Sequence, residues 1–534
     1  MRVSGVTRQR RILPPLILAC VLVWYLTTWK GVPFNRPVDP HDASGQDANH
    51  DGFIKFWSQL QPLLMAHEPR CEPPRRLGDA PASGFEASGP APRPDLLEMS
   101  ARDLLKMETA HSDFVRAIIA HPPDMPYVPR SRGLVTTAGG FYLPVLVISL
   151  RMLRRTGSKL PVEVFLATRD EFEDDICGRV LPELNARCVV LSDVLDSVPG
   201  TVKMEKYQLK PCAIIFSSFE EMLFLDADAF PVARPETLFE EEPFKGGRMV
   251  TWPDFWASSA SPLYYTIASQ QVTPMDSRQS TESGQILVSK KTHLRTLLLC
   301  TYYNFWGPTH YYRLLSQGGP GEGDKETLVA AAAAVGEPFY QVSERVRAVG
   351  HPTRDGFAGS AMVQFHPVDD FKLTQRGEWR VNKSTAPAPR PFFIHANYPK
   401  FNPATLFAKG HVNPTLNDDG TYTRAWTNPQ DTMEAFGSDV EKGFWTEILW
   451  TACELETSFE SWRGQTGICD GVKSYWRAVF GAESPDVANR KDVVVLPSWS
   501  AAIPSCMLNS CPLPETWRGV QSSRPAMAAL LHLM

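Results

Sequence analysis

A chain of 534 residues is long enough for one large domain or two ordinary ones with full cores. With 43% hydrophobic and 21% charged residues it reads as globular, which excludes a disordered protein. A net charge of −5 argues against a nucleic-acid partner, which would want a basic face.

Arg2, Arg8, Arg10 and Arg11 precede an uncharged apolar stretch over 12–29. At about 1.5 Å per residue that stretch approaches the width of a bilayer core. Trp24, Tyr25 and Trp29 stand near its far end, where an aromatic belt belongs. The arginines ahead of it predict a cytoplasmic tail over 1–11, a transmembrane signal-anchor over 12–29, and the rest of the chain in a secretory lumen. Bulky aromatics at the exit, with no small-x-small pattern, argue against a cleaved signal peptide. None of the ten cysteines forms a C-x-x-C pair, so no zinc site is expected. In a lumen some would be disulfides, and Cys177 with Cys188 and Cys453 with Cys469 are the nearest candidates by spacing. A sequon at Asn382 fits the same compartment.

Residues 30–100 are rich in Pro, Gly, Ala, Asp and Arg, a stem or linker composition with one short helix over 53–65. Leu104, Leu105, Phe114, Ile118 and Ile119 then recur at helical spacing, and the folded body is expected over 101–480. The pattern predicts a strand over 133–136, a glycine turn, a helix over 142–155, and strands over 162–166 and near 188–191. A helix over 210–217 leads into a buried strand that ends at Asp226. Strand alternating with helix is the signature of a parallel sheet with crossovers. Further on come a strand and helix from 282, a glycine-rich loop feeding a helix after 325, and a strand near 392 that opens into a polar loop. From 481 to 534 the pattern fades into an irregular tail.

Asp226 and Asp228 therefore fall at the carboxyl end of a strand in an α/β sheet, the edge where such sheets bind ligands. Taken alone, the pair fits three chemistries. Two carboxylates suit a divalent metal that clamps a nucleotide diphosphate. A dehalogenase-type phosphatase also ends a strand in D-x-D, with the first Asp as nucleophile. That pattern wants a small residue where this chain has Phe230, and a later acidic pair where Asp324 stands alone. Third, aspartates simply follow strands in turns.

The surroundings of the pair carry more. "FLDADAFPVARPETLF" has the strand, D-x-D, proline and helix start of the metal-binding element of GT-A glycosyltransferases. "TTAGGFYLP" stands before it, and "TESGQILVSK", "GEGDKETLVAA" and "FIHANYPKFNP" follow in order. With "TWPDFWASSASPLYY" and "YYNFWGPTHYYRLLSQGGPGEGDKET", these segments resemble the fungal Golgi α-mannosyltransferases, whose α-1,2 and α-1,3 members branch and cap mannan and protein glycans. The likeness covers about 133–400 and extends weakly to 480, and its longest matches look like the α-1,2 members. One departure is His366 in "QFHP", where the family tends to carry an acidic residue.

The resemblance implies a GT-A-like α/β fold, a mostly parallel central sheet flanked by helices behind an N-terminal transmembrane helix. It implies a retaining transfer of mannose from GDP-mannose to a mannose-containing glycan, with Mn²⁺ or another divalent cation, at the Golgi membrane and in company with a transferase complex. Asp228 is then the main metal ligand, Asp226 serves metal and donor, and His395 completes the set. Thr136, Thr137 and Gly139 bed the nucleotide, while Lys210 and Lys400 offer charge to the diphosphate. Asp324 and Glu282 are the catalytic carboxylates, with front-face attack using the phosphate as base left open. Trp252, Asp254 and Asn397, with Trp256, form the acceptor platform. Plainer roles stay open at this stage: a structural histidine for His395, a helix N-cap for Asp324, a solvated helix start for Lys210, core aromatics for Trp252 and Trp256. So do a catalytically inactive glycan-binding relative and a phosphohydrolase.

Overall fold

The computed structural model describes residues 43–481 apart from 88–91, 201–202, 380, 382–383 and 408–413, with side chains described from residue 50. The tail and signal-anchor expected over 1–29, the sequon at Asn382 and the tail from 482 lie outside those residues. No helix among the described residues is long and apolar enough to cross a membrane.

In chain order the elements that position the site are α1 (Ala43–Ala66), α2 (Ala101–Ala120), β1 (Val128–Thr137), α3 (Tyr142–Arg155), β2 (Val162–Leu166), β3 (Ala186–Val190), α4 (Leu209–Phe216), β4 (Phe219–Leu225) and β5 (Ala229–Pro231). They continue with β6 (Met249–Ala257), β7 (Gln279–Ser289), α5 (Leu294–Phe305), α6 (Thr327–Val335), β8 (Phe339–Gln341), β9 (Arg347–Thr353), β10 (Gly356–Phe365), α7 (Pro367–Gln375), β11 (Pro391–His395) and α8 (Val440–Glu454).

A seven-stranded sheet has the order β8-β6-β7-β4-β1-β2-β3, and its only antiparallel neighbours are those of β7. The expected mostly parallel α/β sheet is what forms. Alternate residues feed different cores, as the pleat requires: Leu134, Val164 and Leu223 join one cluster, Val135, Phe165 and Phe224 the other. Helix α3 packs in the first cluster, and its Arg151 and Arg155 reach Glu447 of α8 at 2.6 and 2.8 Å. All three are buried, so each charge has its partner. A second, antiparallel sheet runs β9-β10-β11-β5. The short β5 leaves the turn that follows β4, so the two sheets meet at the aspartates.

The short helix expected over 53–65 lies within α1, and the linker expected around it over 30–100 is corrected by its described part. Phe53, Phe56, Trp57, Leu60 and Leu64 are buried in the second cluster, and the first three set their rings edge-on to Phe216 of α4. Trp57 also donates its indole N–H to the Leu195 carbonyl at 3.2 Å. A few large anchors hold a stretch whose average composition is that of a loop. Cys177–Cys188 and Cys453–Cys469 are disulfide-bonded, and Cys71, Cys212 and Cys300 are free among the described residues.

Candidate active site

The strand β4 stops because its ladder is closed off. The Asp226 N–H donates to Gly284 O at 3.0 Å, and Ala229 N–H donates back to Asp226 O at 2.9 Å. This tight turn leaves both carboxylates at the carboxyl edge. Strand β5 then pairs with β11 in a register that sets Ala229 opposite His395, and Ala396 N–H donates to Asp228 O at 2.9 Å. The His395 Nε2 consequently lies 3.0 Å from Asp228 Oδ1. Lys400, just beyond, donates from Nζ to Asp228 Oδ2. Asp226, Asp228 and His395 each offer a ligand atom within 4.8 Å of the others.

Glu282 arrives through a bulge. In the β6–β7 pairing Thr251 faces Ile286 while the next residue, Trp252, faces Glu282, so Ser283, Gly284 and Gln285 have no partner on β6; Ser283 reaches the cavity while Gln285 stays opposite Leu225 of β4. Glu282 Oε1 accepts the Gly284 N–H at 2.8 Å and lies 3.5 Å from His395 Nδ1. A Cβ on Gly284 would sit 2.8 Å from Glu282 Oε1 and from the His395 ring, so only glycine fits. Gly139 has a like reason: its Cβ would meet the Glu171 carboxylate at 2.5 Å.

Lys210, at the start of α4, stands 3.2 Å from Asp226 Oδ1 and 3.0 Å from Asp324 Oδ2, and donates to Ser283 O and Oγ. Asp324 does not cap α6 with its side chain; its carbonyl accepts the Thr327 N–H at 2.9 Å and its carboxylate is left to Lys210. Asp254 accepts from Lys325 Nζ at 2.8 Å.

The electrostatics follow from these pairs. Burial would raise the Asp228 carboxyl, but Lys400 and His395 outweigh it and hold it well below the carboxylate range. Burial would lower His395, yet Asp228 and Glu282 bring it up to about 10, a protonated imidazole. Burial also opposes the charge on Lys210, and Asp226 and Asp324 overcome it, raising the ammonium. Asp226 is pushed up by burial, which Lys210 and His395 offset only in part.

These groups line one cavity of about 600 Å³. It gathers Thr137, Gly139, Lys210, Asp226, Asp228, Asp254, Glu282, Asp324, His395, Asn397 and Lys400. Three expected residues, Thr136, Trp252 and Trp256, are absent from its walls. Thr136 is fully buried inside β1, because the pleat turns it away from the edge that Thr137 reaches. Trp252 is also fully buried. It donates its indole N–H to Phe365 O at 2.9 Å and stands edge-on to Phe393, a strut between the two sheets and not an acceptor platform. Trp256 lines a neighbouring cavity instead. His366 lies in neither cavity. Its Nδ1 caps α7 by accepting the Val368 N–H at 3.2 Å, a task an acidic residue would also perform. Sequence reasoning missed Lys325, although it adjoins Asp324, and missed Tyr207, an exposed aromatic whose ring lies over Gly323.

Comparison with known proteins adds lineage to this geometry. Residues 131–280 and 275–366 match the family described as "Mannosyltransferase putative". The α-1,2-mannosyltransferase MNN2 of Saccharomyces cerevisiae is 32% identical over 458 residues, which cover 71% of this chain and 76% of that protein. The chain belongs to this mannosyltransferase family. The α-1,2-mannosyltransferases MNN21 and MNN24 of Candida albicans are 33% and 32% identical, each over 71% of this chain, and the chain spans 66% and 64% of their lengths. The family match ends at residue 366, so it contains Asp226, Asp228, Glu282 and Asp324 but stops short of His395 and Lys400. The pairing of β5 with β11 places His395, and Lys400 follows in the loop beyond the strand. Among solved structures, the galactosyltransferase LgtC with donor and acceptor sugar analogs is 13% identical, with a TM-score of 0.31 over 58% of this chain and 99% of that chain.

Proposed function

We propose that this chain transfers mannose from GDP-mannose to a mannose hydroxyl of a glycan, forming an α-1,2 linkage with retention, on a GT-A-type fold and with Mn²⁺ or a similar divalent cation. The observation that carries the reading is the Asp226–Asp228–His395 cluster at the carboxyl edge of the sheet, in a family whose relatives are named α-1,2-mannosyltransferases. Two carboxylate oxygens and an imidazole nitrogen are a donor set that fits such an ion and leaves positions for phosphate oxygens. When bound, the ion supplies positive charge where the leaving diphosphate gains negative charge.

The chain's own residues do the rest. The end of β1 at Thr137 and the open backbone at Gly139 give the nucleotide a flat bed next to Asp226. Lys210 is fixed by Asp226, Asp324 and Ser283, so it holds those carboxylates in place. Lys400 is the more exposed of the two lysines, its side chain 33% open against 11% for Lys210, and it would turn from Asp228 to a phosphate oxygen. Asp324 and Glu282 are the carboxylates within the cavity that serve sugar hydroxyls and the anomeric centre. A Golgi membrane setting with the body in the lumen belongs to this proposal; the apolar stretch over 12–29 and two disulfides support it.

The test incubates the full-length chain in detergent with GDP-[¹⁴C]mannose, Mn²⁺ and an α-mannoside. Label transfer that a chelator abolishes is expected. Glycan binding without transfer under any divalent ion would make the chain an inactive relative, and phosphate release from a simple ester would make it a phosphohydrolase.

A further inference from the structure

A second cavity of about 320 Å³ adjoins the first and shares Gly321, Met362, Asn397 and Tyr398 with it. Its walls include Phe255 and Trp256, the two residues after Asp254 on β6, so the strand contributes a carboxylate residue to one cavity and two aromatic residues to the next. Neither the Asn397 amide nor the Tyr398 hydroxyl bonds to protein among the described residues, and both stand at the seam. Across from them is Arg76, which comes from the stretch whose composition reads as linker. Its Nη2 lies 2.6 Å from both oxygens of Glu322, and its Nη1 lies 3.2 Å from Asp79. Glu322 also accepts the Gly318 N–H at 2.6 Å.

The same N-terminal stretch shapes the aromatic wall. Gly84 bridges to Trp256, and Ala257 N–H donates to Ser83 O at 2.9 Å. Gln317 ties the glycine turn down: its Nε2 donates to Pro94 O and Ser259 O at 2.8 and 2.7 Å, and its Oε1 accepts the Leu96 N–H at 2.7 Å.

We propose that this second cavity seats the acceptor as a neutral mannose oligosaccharide, with Trp256 and Phe255 under the sugar ring and Arg76 as a specificity-determining residue at the rim. The proposal rests on the transferase reading above for the identity of the sugar. Three features select a neutral saccharide. Flat aromatic faces match the C–H face of a hexose. Arg76 is matched by Glu322, with the exposed Asp79 beside it, so the rim offers no unpaired cation to an anionic ligand. Its volume sits at the low end of the roughly 300–1,000 Å³ of small-molecule sites, room for about one or two sugar rings. The unengaged Asn397 and Tyr398 groups offer hydrogen bonds at the point where the chain end would enter the catalytic cavity.

The test uses the full-length protein and α-mannotriose, with Trp256→Ala and Arg76→Gln, the second because it leaves the buried core intact. Saturation-transfer NMR measures mannotriose binding without donor, and steady-state kinetics separates KM for mannotriose from KM for GDP-mannose. Expected are a loss of binding of about 10-fold or more in Trp256→Ala and about 3-fold in Arg76→Gln, with donor KM moving less than about 2-fold. The binding arm stands even if no transfer is detected, so a failed transferase reading is distinguishable from a failed cavity assignment. Wild-type binding unaffected by both substitutions, or no mannotriose binding at millimolar concentration, overturns the proposal.

Discussion

The catalytic cavity has two walls of different construction. One is the carboxyl edge of the sheet, with Thr137 at the end of β1 and Asp226 at the end of β4, and its shape comes from backbone ladders. The other, toward the neighbouring cavity, is loop and turn over 321–325, and the neighbouring cavity continues that wall through 76 and 255–256; both are fixed by side chains that bond to the backbone of other segments. Gln317 reaches residues 94, 96 and 259, and Arg93 donates to the carbonyls of Ser258, Ala260 and Thr273. A ladder survives the loss of any one side chain, whereas a wall hung on Gln317 and Arg93 does not. The difference places the candidate metal ligands on the wall that tolerates loss of a side chain, and the proposed acceptor contacts on the wall that a few substitutions can reshape.

Asp228→Ala attacks the first wall at its chemistry. Transfer should fall by at least ~10³-fold, equivalent to ~4 kcal/mol or more of barrier, read as kcat/KM in the radiolabel assay. Activity equal to wild type would remove the metal assignment. Trp57→Ala asks whether the N-terminal stretch belongs to the second wall's support at all. Loss of a fully buried indole should cost about 3 kcal/mol in chemical denaturation, and an unmoved midpoint would restore the linker reading. Gln317→Ala sharpens the contrast, because it leaves two carbonyls and one amide without their partner. About 2 kcal/mol should be lost, and hydrogen exchange should quicken in 74–98 and 316–325 but not in β1 or β4.

The smallest effect is acidic. His111 of α2 stacks on Tyr303 of α5, and burial pushes it down to about 4. Between that value and the ordinary one near 6.5 the unfolded chain takes up a proton that the folded chain refuses. Stability therefore falls as pH drops through this window, by roughly 1 kcal/mol at pH 5.5 from this group. His111→Gln should flatten the slope between pH 7 and 5.5 in denaturation midpoints, and an unchanged slope would show that the histidine titrates normally.

The same contrast explains what could be read in advance. The helix expected over 142–155 is α3 and the strand expected over 162–166 is β2, because one is a long, mostly apolar run buried along nearly its whole length and the other is buried on both faces. The strand expected over 133–136 is longer, Val128–Thr137, since its first residues are exposed and polar and pair through a register shift. Asp226 and Asp228 stood out because an apolar run ends on them. That His395 touches Asp228 depends on β5, three residues long and too short for any periodicity to mark. Thr136 was misplaced because one residue of register decides which face a strand residue sees. Trp252 was misplaced because a buried indole and an exposed one look alike in a string of letters. The N-terminal wall was illegible because composition averages over residues, while its packing rests on a handful of anchors such as Trp57 and Phe85.

The charges lining the first cavity come close to cancelling. Six carboxylates line it, from Glu171, Asp226, Asp228, Asp254, Glu282 and Asp324, against five cations: Lys206, Lys210, Lys325, Lys400 and the protonated His395. A divalent ion arriving alone would have to compete with Lys400 and a histidine proton for its carboxylates. A diphosphate arriving alone meets repulsion about as often as attraction. Arriving together they nearly neutralise one another, and the lysine freed by the ion is at hand for the phosphate. On the proposed reading the cavity would take ion and diphosphate as a pair, and thermodynamic reciprocity then requires each to strengthen the grip on the other by the same factor.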